Sequence, residues 1–153
     1  MVAVLPKYNV FDIAEYIIYN ENKHNRRINN IRLQKLLYFV QLFYCAETDE
    51  LLFDSEMTAW QYGPAVPIIW YKYLHYGSDI IYPETNTYNI NINTDILDFI
   101  DEVLFECASK RNTDLINISC SHSLWKDAYI NQHSNIITEY AIKKFVKEKR
   151  DRI

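Results

Sequence analysis

The 153-residue sequence predicts a mainly α fold, a compact single-domain helical bundle over 1–153 with a small β element. Three observations point there. Apolar residues recur three and four apart in several separate stretches, which places them on one face of a helix. Residues that cap helices stand just before many of those stretches. Period-two alternation, by contrast, is confined to "YNINI" at 88–92, and "EMTAWQYG" reads as extended, so the β element consists of short strands near 57–62 and 88–92. Neither half of the chain is long enough to bury a separate core well, so one domain is expected.

The first helix starts at Asn9, whose side chain can accept from the first-turn N–H groups, and Asp12 suits the positive end of the helix dipole. Val10, Ile13, Ala14, Ile17 and Ile18 give it one apolar face, and it ends near 20–22. A second helix runs over 29–47, with Asn29 or Asn30 as cap. Leu33, Leu36, Leu37, Val40 and Phe43 form its deep face, and Phe39, Leu42 and Tyr44 fill much of the rest. Only Gln34, Tyr38 and Gln41 make a narrow polar strip, with Lys35 beside it. A helix apolar nearly all round belongs at the centre of a fold.

The Gly63-Pro64 pair and Pro67 introduce a third helix over about 65–76, ended by Gly77 as a left-handed cap. Thr94 caps a fourth over 95–109, with Ile96, Ile100, Val103, Leu104 and Cys107 facing the core. Its acids Asp95, Asp98, Glu102 and Glu106 line another face, expected to be solvated rather than to bind a metal or a basic partner. Residues 113–130 read as two short helical pieces joined near Ser121-His122-Ser123. A last helix runs from Ser134 or Asn135 to about Arg150.

Composition excludes several functions. A net charge of −4 and few clustered cations argue against non-specific nucleic-acid binding. "KHNRR" at 23–27 and the basic tail at 143–152 read as a helix end with its loop and a solvated face. Cys45, Cys107 and Cys120 stand far apart with no CxxC, so neither a zinc site nor a redox dithiol is signalled, and buried thiols in a reducing cytoplasm are expected. No apolar run approaches the ~20 residues of a membrane span, and "MVAVLPK" lacks the length and basic start of a signal peptide. With only two glycines, 63 and 77, a Gly-rich phosphate loop is impossible. No cofactor and no metal are expected.

His122 between two serines is the one residue suggestive of catalysis. Sequence neighbours seldom reach the geometry that a nucleophile and its base require, so Ser121 or Ser123 is expected to cap a helix and His122 to bond to backbone. The larger anomaly is aromatic. "WQYGPAVPIIWYKYLHYG" at 60–77 holds both glycines and six Trp and Tyr residues. One side of its helix must pack on the second helix, and the other would expose Trp and Tyr, which bury well at one end and hydrate at the other. An exposed patch of that kind marks a binding site, the competing arrangement being burial under a neighbouring helix. Gly63 and the prolines would aim and stiffen it.

Three segments taken together carry a resemblance: "INNIRLQKLLYFVQ" at 28–41, "MTAWQYGPAVPIIWYKYLHYG" at 57–77 and "SCSHSLWKDAY" at 119–129. They resemble the Panacea antitoxin domain, the family of SocA-like and GepA-like phage-associated proteins. The matching residues are Leu33 to Tyr38, then Ala59, Trp60, Tyr62, Gly63, Pro64, Val66 and Pro67, then His122 and Trp125. Ser121 stands where the family pattern has threonine, and Leu124 where it has proline. The resemblance implies an all-helical or mostly helical antitoxin that neutralises a toxin encoded beside it by direct binding, in the cytoplasmic location already expected from the lack of a membrane span or signal peptide. One branch of the family implies an alternative, a proteolytic adaptor that delivers its toxin to a ClpXP-type protease.

The leading reading is therefore a non-enzymatic antitoxin with a cognate toxin as partner. Trp60, Tyr62, Gly63, Pro64, Val66, Trp70, Tyr71, His122 and Trp125 build its binding surface. Adaptor function is the alternative. A small enzyme dependent on His122 ranks below both, and so does a DNA-binding regulator using the second helix, whose leucines present too few polar groups to base edges.

Overall fold

The computed structural model describes residues 7–84 and 92–149. In chain order these form α1 (Val10–Lys23), α2 (Asn30–Thr48), β1 (Met57–Trp60), β2 (Gly63–Ala65) and α3 (Pro67–Lys72), followed by a 3-10 turn (Leu74–Tyr76). Then come α4 (Thr94–Ala108), α5 (Asn112–Ser121), α6 (Ser123–Ile130), β3 (Ile136–Ile137) and α7 (Glu139–Lys149). The fold is mainly α, with a three-stranded antiparallel sheet in the order β2-β1-β3.

Local chemistry explains most boundaries. Asn9 caps α1 by accepting from the Phe11 N–H, and Asn29 caps α2 by accepting from the Arg32 N–H. Helix α2 ends where Asp49 turns left-handed, at φ 61°. Because almost its whole circumference is apolar, α2 packs against α1, α3, α4, α5, α7 and β2 at once. Leu33, Leu36, Leu37 and Val40 are fully buried, as expected, while Phe43 is only half-buried. Arg32, itself buried, ties the start of α2 to the end of α4. Its guanidinium donates to the carbonyls of Cys107 (2.9 Å) and Lys110 (2.9 Å) and to Asn112 Oδ1 (3.0 Å). A cation is thereby set at the negative end of α4, where the Cys107 carbonyl accepts from the Lys110 N–H (3.0 Å) as well.

Several expectations need correction. The extended segment near 57–62 is a hairpin: β1 stops at Trp60, Gln61 and Tyr62 make the turn, and Gly63 and Pro64 belong to β2, not to a helix entry. The third helix is shorter than 65–76. After Lys72 the buried Tyr73 turns in towards the core and the chain tightens into the 3-10 turn. Gly77 does adopt positive φ (58°), but with ψ −124° rather than the value of a left-handed helical cap. Asn93, not Thr94, caps α4. Ser134 and Asn135 do not start the last helix, because β-branched Ile136 and Ile137 pair with β1 first, and Thr138 then accepts from the Ala141 N–H at the start of α7. The strand expected at 88–92 falls on residues 88–91, outside the described residues, and on Ile92, which lies in no strand.

The joint between α5 and α6 falls at His122 as expected, and the acids Asp95, Asp98, Glu102 and Glu106 of α4 face solvent. Cys45 and Cys107 are buried and Cys120 is half-buried. Among the described residues, no helix is long and apolar enough to cross a membrane.

Candidate functional site

The polar strip of α2 is not a solvent-facing edge. Gln34, Lys35, Tyr38 and Gln41 are all buried, and each reaches across to a different piece of chain. Gln34 Oε1 accepts from the Val66 N–H (2.7 Å), and its amide nitrogen donates to Asn30 Oδ1 (3.1 Å). Asn30 in turn donates to the carbonyl of Trp70 (3.0 Å). Lys35 Nζ donates to the carbonyl of Pro64 (2.9 Å). Gln41 donates to the Phe53 carbonyl (2.9 Å) and accepts from the Leu52 (2.7 Å) and Phe53 (3.3 Å) N–H groups. Burying a polar group is costly unless it is paired, and here the pairing holds strand β2, the start of α3 and the chain before β1 against one helix.

Lys35 shows what this costs. It is 3% exposed, and burial pushes its amine down to about 8. Directly against it sits Gly63, at φ 109°. A Cβ there would stand 2.8 Å from Ser119 Oγ and 3.0 Å from Lys35 Cε, so the backbone angle demands glycine and any side chain would also have to displace those two. The expected role of Gly63, close backbone approach, thus has a definite object: the end of the hairpin is pressed onto α2 and α5.

On this base stand the aromatics. Trp60 and Trp70 meet edge to face, centroids 5.9 Å apart at 87°. Trp125 of α6 donates its indole N–H to the Trp60 carbonyl (2.8 Å) and stacks on Tyr129 at 4.6 Å. The three tryptophans are half-buried, Tyr62 at the hairpin turn is 59% exposed, and Tyr71 is 65% exposed. Gly63, Pro64 and Val66 are buried beneath them and shape the face without presenting side chains on it. Ile68 and Tyr129, exposed beside these residues in sequence, extend the apolar area and were not singled out from the sequence.

His122 behaves differently from the other site residues. It does not bond to backbone through its ring, and neither flanking serine caps α6: Ser121 Oγ donates to the Ile118 carbonyl. Instead His122 Nδ1 pairs with the Tyr38 hydroxyl (2.7 Å), and its ring packs against Tyr38, Phe39 and Phe145. Burial lowers its basicity and raises that of the Tyr38 phenolate. No carboxylate among the described residues hydrogen-bonds His122, and burial holds the nearby Cys120 as a thiol. His122 is therefore a joint between α2, α6 and α7 rather than a poised base. Among the described residues, no group of three or more His, Cys, Asp or Glu side chains is placed to hold a metal ion.

Fold and site define a small helical domain whose buried polar seam holds a hairpin and a short helix rigidly, with aromatic side chains facing out. Residues 33–126 match the family model described as antitoxin SocA-like, Panacea domain, and the chain belongs to that family. A role of toxin–antitoxin type follows at the level of the family. No curated protein and no solved structure matches the chain.

Proposed function

We propose that this protein is a cytoplasmic antitoxin that neutralises a cognate toxin by binding it directly through the face built from Trp60, Tyr62, Trp70, Tyr71 and Trp125. The observation that carries the reading is that Tyr62 and Tyr71 stay exposed although the backbone beneath them is tied down by three buried side chains of α2. Rings held on a stiff support lose little entropy on docking, and aromatic anchors dominate the energetics of protein interfaces. Membership of the antitoxin family supports a toxin as the partner. Gly63, Pro64, Val66 and His122 serve the face from below.

Co-expression with the product of the adjacent reading frame is the test. Wild type should restore growth, whereas Trp60→Ala and Tyr71→Ala proteins that keep the fold should fail or rescue weakly. Truncating a real aromatic anchor typically costs about 2 kcal/mol or more of binding. Full rescue by both variants would refute the assignment of this face.

A proteolytic adaptor for a ClpXP-type protease remains the second reading. It is favoured by one observation, a further uncovered and strongly acidic surface on α4 that shares no residue with the aromatic face. Faster toxin loss in a reconstituted protease reaction containing this protein would support it, and unchanged toxin levels would leave direct neutralisation alone.

A further inference from the structure

We propose that the groove between α2, α4 and α5 docks an amphipathic helix of a protein partner, one whose apolar stripe is edged by lysine or arginine. The groove encloses about 950 Å³. Phe39 and Phe43, stacked at 6.1 Å, line it from α2; Phe99 and Val103 line it from α4, and Leu115 and Ile118 from α5. Phe105 also lines it and is 71% exposed, the largest exposure of any phenylalanine among the described residues. A wall of that composition selects an apolar occupant and gives little to a hydrated ion or a sugar.

Charge decides which apolar occupant. Glu47, Asp101, Glu102 and Glu106 rim the groove. All the charged residues of α4 are acidic (Asp95, Asp98, Asp101, Glu102 and Glu106), and none makes an ion pair among the described residues. The rim's cations are already engaged: Arg26 pairs with Glu21 at 2.9 Å, and Lys110 donates to the Glu106 carbonyl at 3.1 Å. The negative field attracts cations and repels acidic peptides and nucleic acid. An apolar floor between helices, flanked by carboxylates that no cation among the described residues neutralises (Asp101 accepts from the Tyr16 hydroxyl), is the complement of a basic amphipathic helix with anchors at i, i+3 or i+4, and i+7. The surface goes beyond the antitoxin reading and does not depend on it.

Fluorescence anisotropy of a labelled leucine–lysine helical peptide, titrated with the full chain, tests the proposal. Two controls carry the same label: a scrambled peptide of identical composition, and a leucine–glutamate peptide in the same register. The leucine–lysine peptide should bind at least about tenfold more tightly than either control. Phe105→Ser should weaken it by a similar factor, and Glu102→Lys combined with Glu106→Lys should shift preference to the leucine–glutamate peptide. These three residues are exposed, so circular dichroism of the variants should match wild type. Tyr62→Ser and Tyr71→Ser should leave peptide binding unchanged. Equal binding of the scrambled peptide, or no effect of Phe105→Ser, would overturn the proposal. So would a dimer of this chain that Phe105→Ser dissolves and the peptide cannot displace, since the groove would then belong to a second copy.

Discussion

The seam of α2 and the aromatic face above it come from adjacent family motifs, yet they use side chains in opposite ways. Gln34, Lys35, Tyr38 and Gln41 are polar and buried, whereas Tyr62 and Tyr71 are largely apolar and exposed. The first group spends its hydrogen-bonding capacity on backbone of the hairpin, the start of α3 and the chain before β1, or on His122. The second has ring area with nothing over it. The difference separates two kinds of motif residue: those that hold a surface in place, and those that are the surface. Mutation should therefore divide them, with stability lost in the seam and binding lost on the face.

The largest effect is expected at Gln41. Gln41→Leu strands two buried N–H groups and a carbonyl, each worth about 1–3 kcal/mol when left unpaired. After the gain from the apolar side chain, a net loss of about 3 kcal/mol should appear in urea denaturation. A loss below about 1 kcal/mol would mean that water reaches the chain before β1 and that the seam is not closed.

Lys35 sharpens the comparison through pH. Its folded amine sits near 8 against an ordinary 10.5, so the unfolded chain binds more protons across that interval and stability rises with pH there. The penalty is whole below about pH 8, where it amounts to about 3 kcal/mol, and fades towards 10.5. Lys35→Met removes it. Wild type should gain on Lys35→Met by up to about 1.4 kcal/mol per pH unit above pH 8, whichever protein is the more stable at neutrality. Parallel stability curves for the two proteins would show that the ammonium is not desolvated. Comparing them cancels the cysteines and tyrosines that titrate in the same range, except Cys120, whose ionisation Lys35 itself favours.

The smallest effect belongs to the face. Tyr62→Ser and Tyr71→Ser should each change stability by no more than about 0.5 kcal/mol, because neither ring is buried. A clear drop in melting temperature for either would assign that ring to the fold and remove it from the docking surface.

Much of this was legible from residue spacing. The caps Asn9 and Asn29, the apolar face of α1, the central position of α2 and the joint at His122 follow from local rules, because a helix is closed by bonds among near neighbours in sequence. The same rules misplaced the third and last helices. Tyr73 and Ile137 answer to burial and strand pairing with distant segments, which helical periodicity does not encode. Polar residues three and four apart on an otherwise apolar helix were visible as a strip, and their place on a central helix was the available signal that they brace other chain segments. Which backbone groups they would meet was not visible.

The sequence by itself determined the helical class, the central helix and the family, since hydrophobic period, caps and ordered motifs are local properties of the chain. Only the tertiary structure decided that Gly63 is a contact point with α2 and α5, that Tyr38 meets His122, and that Tyr62 and Tyr71 remain uncovered. Those are relations between residues dozens of positions apart, and exposure depends on what the rest of the chain leaves open.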